Sequence, residues 1–304
     1  MMVRFFFLLM LAASLHATVI TRLRGQFGNQ LFQIAAAAAL AEENHCDLCF
    51  PDFEHLSDES EAGRLLLKNY EAIYSRIPRV EGIAAQFIYE EEEGKPAYKP
   101  IPYQPNMEIV GYFLSEKFFQ KHEALIRRLF AAPESIEVYL QENFADILAH
   151  PKTVAIHVRT GYADYQRTGC NRLFYRSFLP PDIRFFLRAI RQFDPDSLFV
   201  VCSDYSVWAR QKFAGLWGKF LFVETGDHLI DFYLLTKCKH AIIANSTFGW
   251  WAAWLNENPE KKIVYRRPFM GVFRENTPPD LMCSQWIPID VPEQWLLPPL
   301  FDEL

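Results

Sequence analysis

The 304-residue sequence predicts an α/β protein made of two Rossmann-like units, with mainly parallel sheets facing a cleft. Three observations predict it. Strand-like and helix-like segments alternate through both halves of the chain. Several strands, among them 198–202, are continuous apolar runs, which is how strands covered on both faces read. The alternation pauses near residue 145, so the units are expected at 18–145 and 146–304.

In the first unit, 18–23 alternates apolar or β-branched residues with polar ones and reads as a strand. A turn at 24–28 leads into 29–43, rich in the helix formers Ala, Leu and Gln. A second strand is expected at 47–50 and a helix at 64–74. The acidic, proline-containing stretch 90–105 reads as an exposed loop, with acceptor gating as the sharper alternative. A short strand at 108–112 precedes a helix at 115–130. In the second unit, strands are expected at 154–159, 198–202, 219–223, 241–244 and 262–265. Helices are expected at 178–193, 206–213, 229–238 and 248–256.

Composition narrows the function. Half the residues are hydrophobic and 15% are aromatic, so a large core is available and disorder is excluded. The net charge of -6 argues against a nucleic-acid partner, because no basic surplus exists to neutralise a phosphate backbone. Any phosphate must be held by a few placed groups. Residues 1–17 combine a short positive start with an apolar run from Phe5 to Leu15 and end at Ala17. Eleven apolar residues fall short of the roughly 20 that a membrane span needs. They fit a signal peptide or weak membrane anchor, with a buried first strand as the structural alternative. The chain is therefore expected on a secretory or membrane-attached route, a cytoplasmic membrane face remaining open. Cys46 and Cys49 form a lone C-x-x-C and read as strand cysteines rather than a zinc half-site.

Ligands of open α/β sheets gather at the carboxyl ends of strands, and four polar segments fall there. The first runs from Gly25 to Gln30, where two glycines precede a helix and Gly28, Asn29 and Gln30 are the candidate contacts. The alternative is a plain turn with Asn29 as helix cap. The second is His157-Val158-Arg159-Thr160-Gly161, with Asp164 close behind. Alternation puts His157 and Arg159 on one side of the strand, and Arg159 there can grip a phosphate with two parallel hydrogen bonds. A surface ion pair for Arg159 and a core role for His157 stand beside that reading. The third is Ser203-Asp204, able to hold a base or ribose, or else to cap a helix. The fourth is Asn245-Ser246-Thr247, where a strand gives way to a helix whose free N–H groups suit a phosphate. These three residues also spell a glycosylation sequon, discounted because they lie inside a βαβ unit. Trp250, Trp251 and Trp254 are expected to pack the helix rather than stack on sugar. No cluster has metal-ligand spacing and no D-x-D stands out, so neither metal nor other cofactor is expected.

In this order the four segments resemble the α-1,2-fucosyltransferases, glycosyltransferase family 11. That family begins with G-x-x-G-N-Q-[LM]-F-Q, matched by 25–33, and carries the block N-S-[ST]-F-S-W-W, matched from Asn245. The resemblance extends through 111–117 and spans about 19–287. It implies a GT-B arrangement, with an acceptor-side first domain and a GDP-sugar-binding second domain. It further implies metal-independent, inverting transfer of fucose from GDP-fucose to a galactose-terminated glycan. Arg159 would stabilise the departing phosphates, His157 would orient the strand end or touch the donor, and Asp204 would hold guanine or ribose. Asn245, Ser246 and Thr247 would line the phosphates or the sugar, Asn29 would reach across, and Asp164 is the candidate base. Two departures bear on activity. Thr160 replaces the family's second arginine, with Tyr162 and Ala163 inserted before Asp164, and Tyr205 replaces an aspartate. They keep a non-catalytic glycan- or nucleotide-sugar-binding homologue in view. The glycine-rich start also resembles protein O-fucosyltransferases.

Overall fold

The computed structural model describes residues 17–51, 61–92, 97–160, 182–269 and 277–292. Asp164 and most of the N-terminal segment 1–17 lie outside the described residues. No described helix is long and apolar enough to cross a membrane.

Two parallel sheets organise the chain. The first has the order β2-β1-β4-β3, built from β1 (Thr18–Thr21), β2 (Asp47–Cys49), β3 (Phe87–Glu90) and β4 (Met107–Val110). Helix α1 (Phe27–Glu43) joins β1 to β2, and α2 (Glu61–Ala72) follows. The second sheet has the order β10-β9-β8-β5-β6-β7. Its strands are β5 (Thr153–Val158), β6 (Leu198–Ser203), β7 (Lys219–Val223), β8 (His240–Ile243), β9 (Ile263–Arg267) and β10 (Ile287–Asp290). Between the sheets in sequence lie α3 (Glu123–Leu129), α4 (Glu134–Asn143) and α5 (Ala145–Ala149). The later helices are α6 (Ile183–Ile190), α7 (Ser206–Phe213), α8 (His228–Lys237) and α9 (Thr247–Leu255). Every strand pair is parallel, as the unbroken apolar strands predict.

Three expectations need correction. Strand β3 falls at the edge of the predicted loop, because Phe87 and Ile88 are exposed and leave no apolar face to read. Strand β10 carries Pro288 and was not expected; proline, lacking an N–H, is tolerated there because the strand is at a sheet edge. The single helix predicted at 115–130 breaks into two short 3-10 turns, Glu116–Phe118 and Gln120–His122, before α3. Phe119 between them takes φ -140°, outside the helical range, and its buried ring stacks on Trp251 at 5.2 Å.

One hydrophobic cluster joins the two sheets. It runs from Phe32, Phe50 and Tyr74 through Phe119 and Trp251 to Ala155 and Ile243. Helix α1 is buried almost all round, and its alanines 35–39 let β1 and α9 approach closely from opposite sides. The tryptophans of α9 are scaffold, as expected. Trp250 and Trp251 are fully buried, Phe32 lies 4.5 Å and 5.0 Å from their rings, and Trp250 Nε1 donates to Leu281 O at 2.8 Å.

Candidate functional site

The site lies where the amino ends of α1 and α9 meet. Gly28, in the first turn of α1, abuts the start of α9 directly. A Cβ on it would sit 2.6 Å from Phe248 N and 2.6 Å from Thr247 C, so only glycine allows this approach. Beside it, Thr247 Oγ1 donates to Asn29 Oδ1 at 3.0 Å, which brings together two predicted residues that are 218 positions apart. Asn29 is not the cap of α1; that position is Gln26. Ser246 caps α9, accepting from Phe248 N at 3.2 Å.

Neither helix has an acidic residue in its first turn, so no carboxylate of its own offsets the positive end of either dipole. The far end of α9 is treated oppositely. Arg127 donates to the carbonyls of Trp254 and Leu255, and Lys261 to those of Ala253, Trp254 and Asn256. Two cations therefore offset the negative pole of α9 while its positive pole stays bare. Burial, with Arg127 nearby, pushes the Lys261 ammonium down to about 8.

The strand ends of the second sheet supply the rest. Arg159 follows β5, and its Nε lies 3.8 Å from Asp204 Oδ2, a loose pairing. The other oxygen of Asp204 accepts from Thr160 N at 2.6 Å and from Thr160 Oγ1 at 3.0 Å. Asp204 thus braces the Arg159-Thr160 backbone and does not cap α7, whose cap position is Tyr205. Asn245 is buried and donates to Arg159 O at 3.3 Å, holding the same loop from the other side. Ser203 Oγ donates to Val158 O at 2.9 Å and accepts from Tyr205 N at 3.1 Å. Its hydroxyl ties β6 to β5.

His157 lies against Phe248, with ring centroids 4.5 Å apart, and its Nδ1 is buried with no partner among the described residues. Burial, with Arg159 adding repulsion, pushes the imidazole down to about 3. It is neutral at physiological pH, a poor proton acceptor that seats the start of α9. Gln30 is engaged within the protein. It is buried, and its amide donates to Gly25 O at 3.0 Å while accepting from Tyr74 OH at 2.8 Å. It braces the glycine loop through Gly25 O. Gln33 does the same, with both amide atoms on the backbone of Arg24.

Sequence reasoning missed the cross-links between the two units. His228 Nε2 lies 2.7 Å from Asn69 Oδ1, and Lys68 pairs with Asp227 at 2.7 Å. No spacing pattern announces contacts between residues 159 positions apart. A D-x-D was also overlooked, Asp194-Pro195-Asp196. Both carboxylates pair with Lys152 at the amino end of β5 and β6, the opposite end from the site. No His, Cys, Asp and Glu group suited to a metal occurs among the described residues.

Similarity to known proteins agrees with this geometry. The family model described as Glycosyl transferase family 11 matches residues 7–270. The chain is 29% identical over 189 residues to the O-antigen biosynthesis glycosyltransferase WbnK of Escherichia coli, covering 59% of each chain. It is 23% identical to an alpha-1,2-colitosyltransferase of Escherichia coli, covering 78% of this chain and 87% of that one. It is 28% identical to galactoside alpha-(1,2)-fucosyltransferase 2 of Oryctolagus cuniculus, covering 76% and 65%. Among solved structures, the fucosyltransferase NodZ from Bradyrhizobium superposes with a TM-score of 0.51 at 17% identity, covering 78% of this chain and 92% of that one. At that identity the likeness speaks to the fold, a GT-B-like pair of α/β layers.

Proposed function

The chain belongs to glycosyl transferase family 11 and is a glycosyltransferase, and on that premise we propose that it moves fucose from GDP-fucose to a galactose hydroxyl in α-1,2 linkage, with inversion. The observation that carries the proposal is the meeting of two helix amino ends without acidic first turns, next to the loop in which Asn245 holds Arg159. In this transfer the acceptor oxygen bonds to the anomeric carbon while the bond from that carbon to the phosphate oxygen breaks. Negative charge grows on the departing diphosphate. Arg159 and the N–H groups at the start of α9 are fixed before the reaction, so they stabilise that charge without reorganising. Arg159 and these N–H donors take the part a metal would play, and chelator should leave turnover unchanged. Asp204 and Asn245 hold the backbone that aims Arg159. Asp164 remains the candidate base for the acceptor proton. A colitosyl donor is the second reading, supported by the colitosyltransferase among the relatives.

The test is incubation with GDP-fucose and lactose, following GDP release and product mass, with other GDP- and UDP-sugars in parallel. Release from GDP-fucose with a fucosylated product is expected. Release only from another donor overturns the fucose assignment. Arg159→Ala should lower turnover about 100-fold or more, the usual loss when one donor to developing charge is removed. Turnover like wild type in that variant would remove Arg159 from the mechanism.

A further inference from the structure

A relay of hydrogen bonds runs from the second unit into the glycine loop of the site. Gln30, on α1, donates through Nε2 to Gly25 O at 3.0 Å. Its Oε1 accepts from Tyr74 OH at 2.8 Å and from Asn69 Nδ2, on α2, at 3.5 Å. Asn69 Oδ1 lies 2.7 Å from Nε2 of His228, the first residue of α8. Gln30, Asn69 and Tyr74 are buried, so their polar atoms must find partners within the protein.

The direction of the relay is set at the Gly25 end. A backbone carbonyl only accepts, so Gly25 O requires the Gln30 amide to present Nε2. Oε1 then faces Tyr74 and Asn69, and both must donate to it. Asn69 therefore turns Nδ2 to Gln30 and leaves Oδ1 for His228. An amide oxygen only accepts, so His228 carries a proton on Nε2. Burial, with Lys68 adding repulsion and Asp227 opposing both, pushes this imidazole down to about 4. It is neutral at physiological pH, and Nε2 holds its one ring proton.

The relay ends where the site needs a fixed backbone. Gly25 has φ +71° and opens the loop that places Gly28 against α9 and Asn29 beside Thr247. The loop is thus tied to the second unit twice. Asn29 meets the start of α9, and Gly25 is reached through the relay from the start of α8. Lys68, next to Asn69, pairs with Asp227, next to His228, and keeps the two ends of the crossing together.

We propose that His228 and Asn69 are positioning residues for the transfer. Through Gln30 they hold the Gly25 carbonyl, and with it the glycine loop, in the register that meets α9. The assignment rests on the glycosyl transfer proposed above, but two of its tests need no substrate.

NMR of the full chain with isotope-labelled histidine should show His228 neutral at physiological pH with its proton on Nε2, the signal being assigned by its loss in His228→Gln. A proton on Nδ1 would overturn the relay. His228→Leu keeps an apolar group beside Phe27 but cannot donate. Amide hydrogen exchange over 24–30 should then quicken about tenfold, the weight of one buried hydrogen bond, while β6 stays unchanged. Turnover of GDP-fucose with lactose should fall about tenfold for the same reason. His228→Gln still offers an N–H at the same place and should stay within about twofold of wild type on both measures. Asn69→Leu should match His228→Leu, and the double variant should be no worse than either, since both changes break one relay. Unchanged exchange in His228→Leu, an equal rise in β6, a Gln variant as poor as the Leu variant, or additive losses would each overturn the proposal. Faster exchange with wild-type turnover would remove the positioning role. Failure of fucosyl transfer itself shows differently, as no GDP release by wild type from GDP-fucose, while the tautomer and the exchange still decide the relay.

Discussion

Substituting Gly28 by alanine tests the meeting of the two helices most directly. The added Cβ would sit 2.6 Å from the backbone of Thr247 and Phe248. Ordinary carbon contacts lie at about 3.5–4.0 Å, so the helix ends must separate by about 1 Å. Backbone atoms cannot swing aside as a side-chain tip can, so the displacement passes to α1 or α9 as a whole. Both helices sit in one shared core, and such overpacking costs about 1–3 kcal/mol. Activity should suffer more than stability. A displacement of about 1 Å at groups that position a reacting substrate can lower turnover about 100-fold. Gly249→Ala is the matched control. Its Cβ would meet His157, nearest at Cβ, 3.3 Å away, a contact relieved by a few tenths of an ångström. Both variants are followed by GDP release and by thermal unfolding. Gly28→Ala is expected to lose most turnover while remaining folded, and Gly249→Ala to keep most of it. Equal activity in the two variants would refute the view that a close approach of helix ends builds the site.

Two further predictions concern pH and packing. His157 has its pKa pushed below the unfolded value, so between about 3 and 6.5 the unfolded chain binds a proton that the folded one does not. Its contribution to stability is therefore present above that window and lost as pH falls through it, by about 2 kcal/mol between pH 7.5 and 5. Denaturant titrations at the two pH values should show His157→Gln losing about that much less than wild type, and identical losses would refute the buried neutral imidazole. Trp250→Phe and Trp251→Phe remove equally buried indoles, but only Trp250 Nε1 has a partner, the Leu281 carbonyl. Trp250→Phe should cost about 1 kcal/mol more by chemical denaturation, because it strands a buried acceptor. An equal cost would show that packing alone sets both values.

The sequence by itself determined the fold class and the strand ends where chemistry gathers. Apolar strands buried on both faces are typical of parallel sheets, and the local runs at 153–158 and 198–203 carry that signal without help from distant residues. The order of the motifs carried the family. Edge strands β3 and β10 were illegible because each is exposed on at least one side, so no burial pattern marks them. Roles within the site were decided only by tertiary structure. Gln30 and Ser203 lie in polar segments that look like ligand contacts, and only the packed chain shows that they also bond to Gly25, Tyr74, Val158 and Tyr205. The segment 111–117 carries the family resemblance, but that Glu91 holds its start by accepting from Tyr112 N and Phe113 N was not legible, because they lie 21 and 22 residues away. Residue type and spacing fix what a side chain can do locally. Whether it faces a cleft or a neighbour depends on which distant backbone it meets, and that is a property of the packed chain.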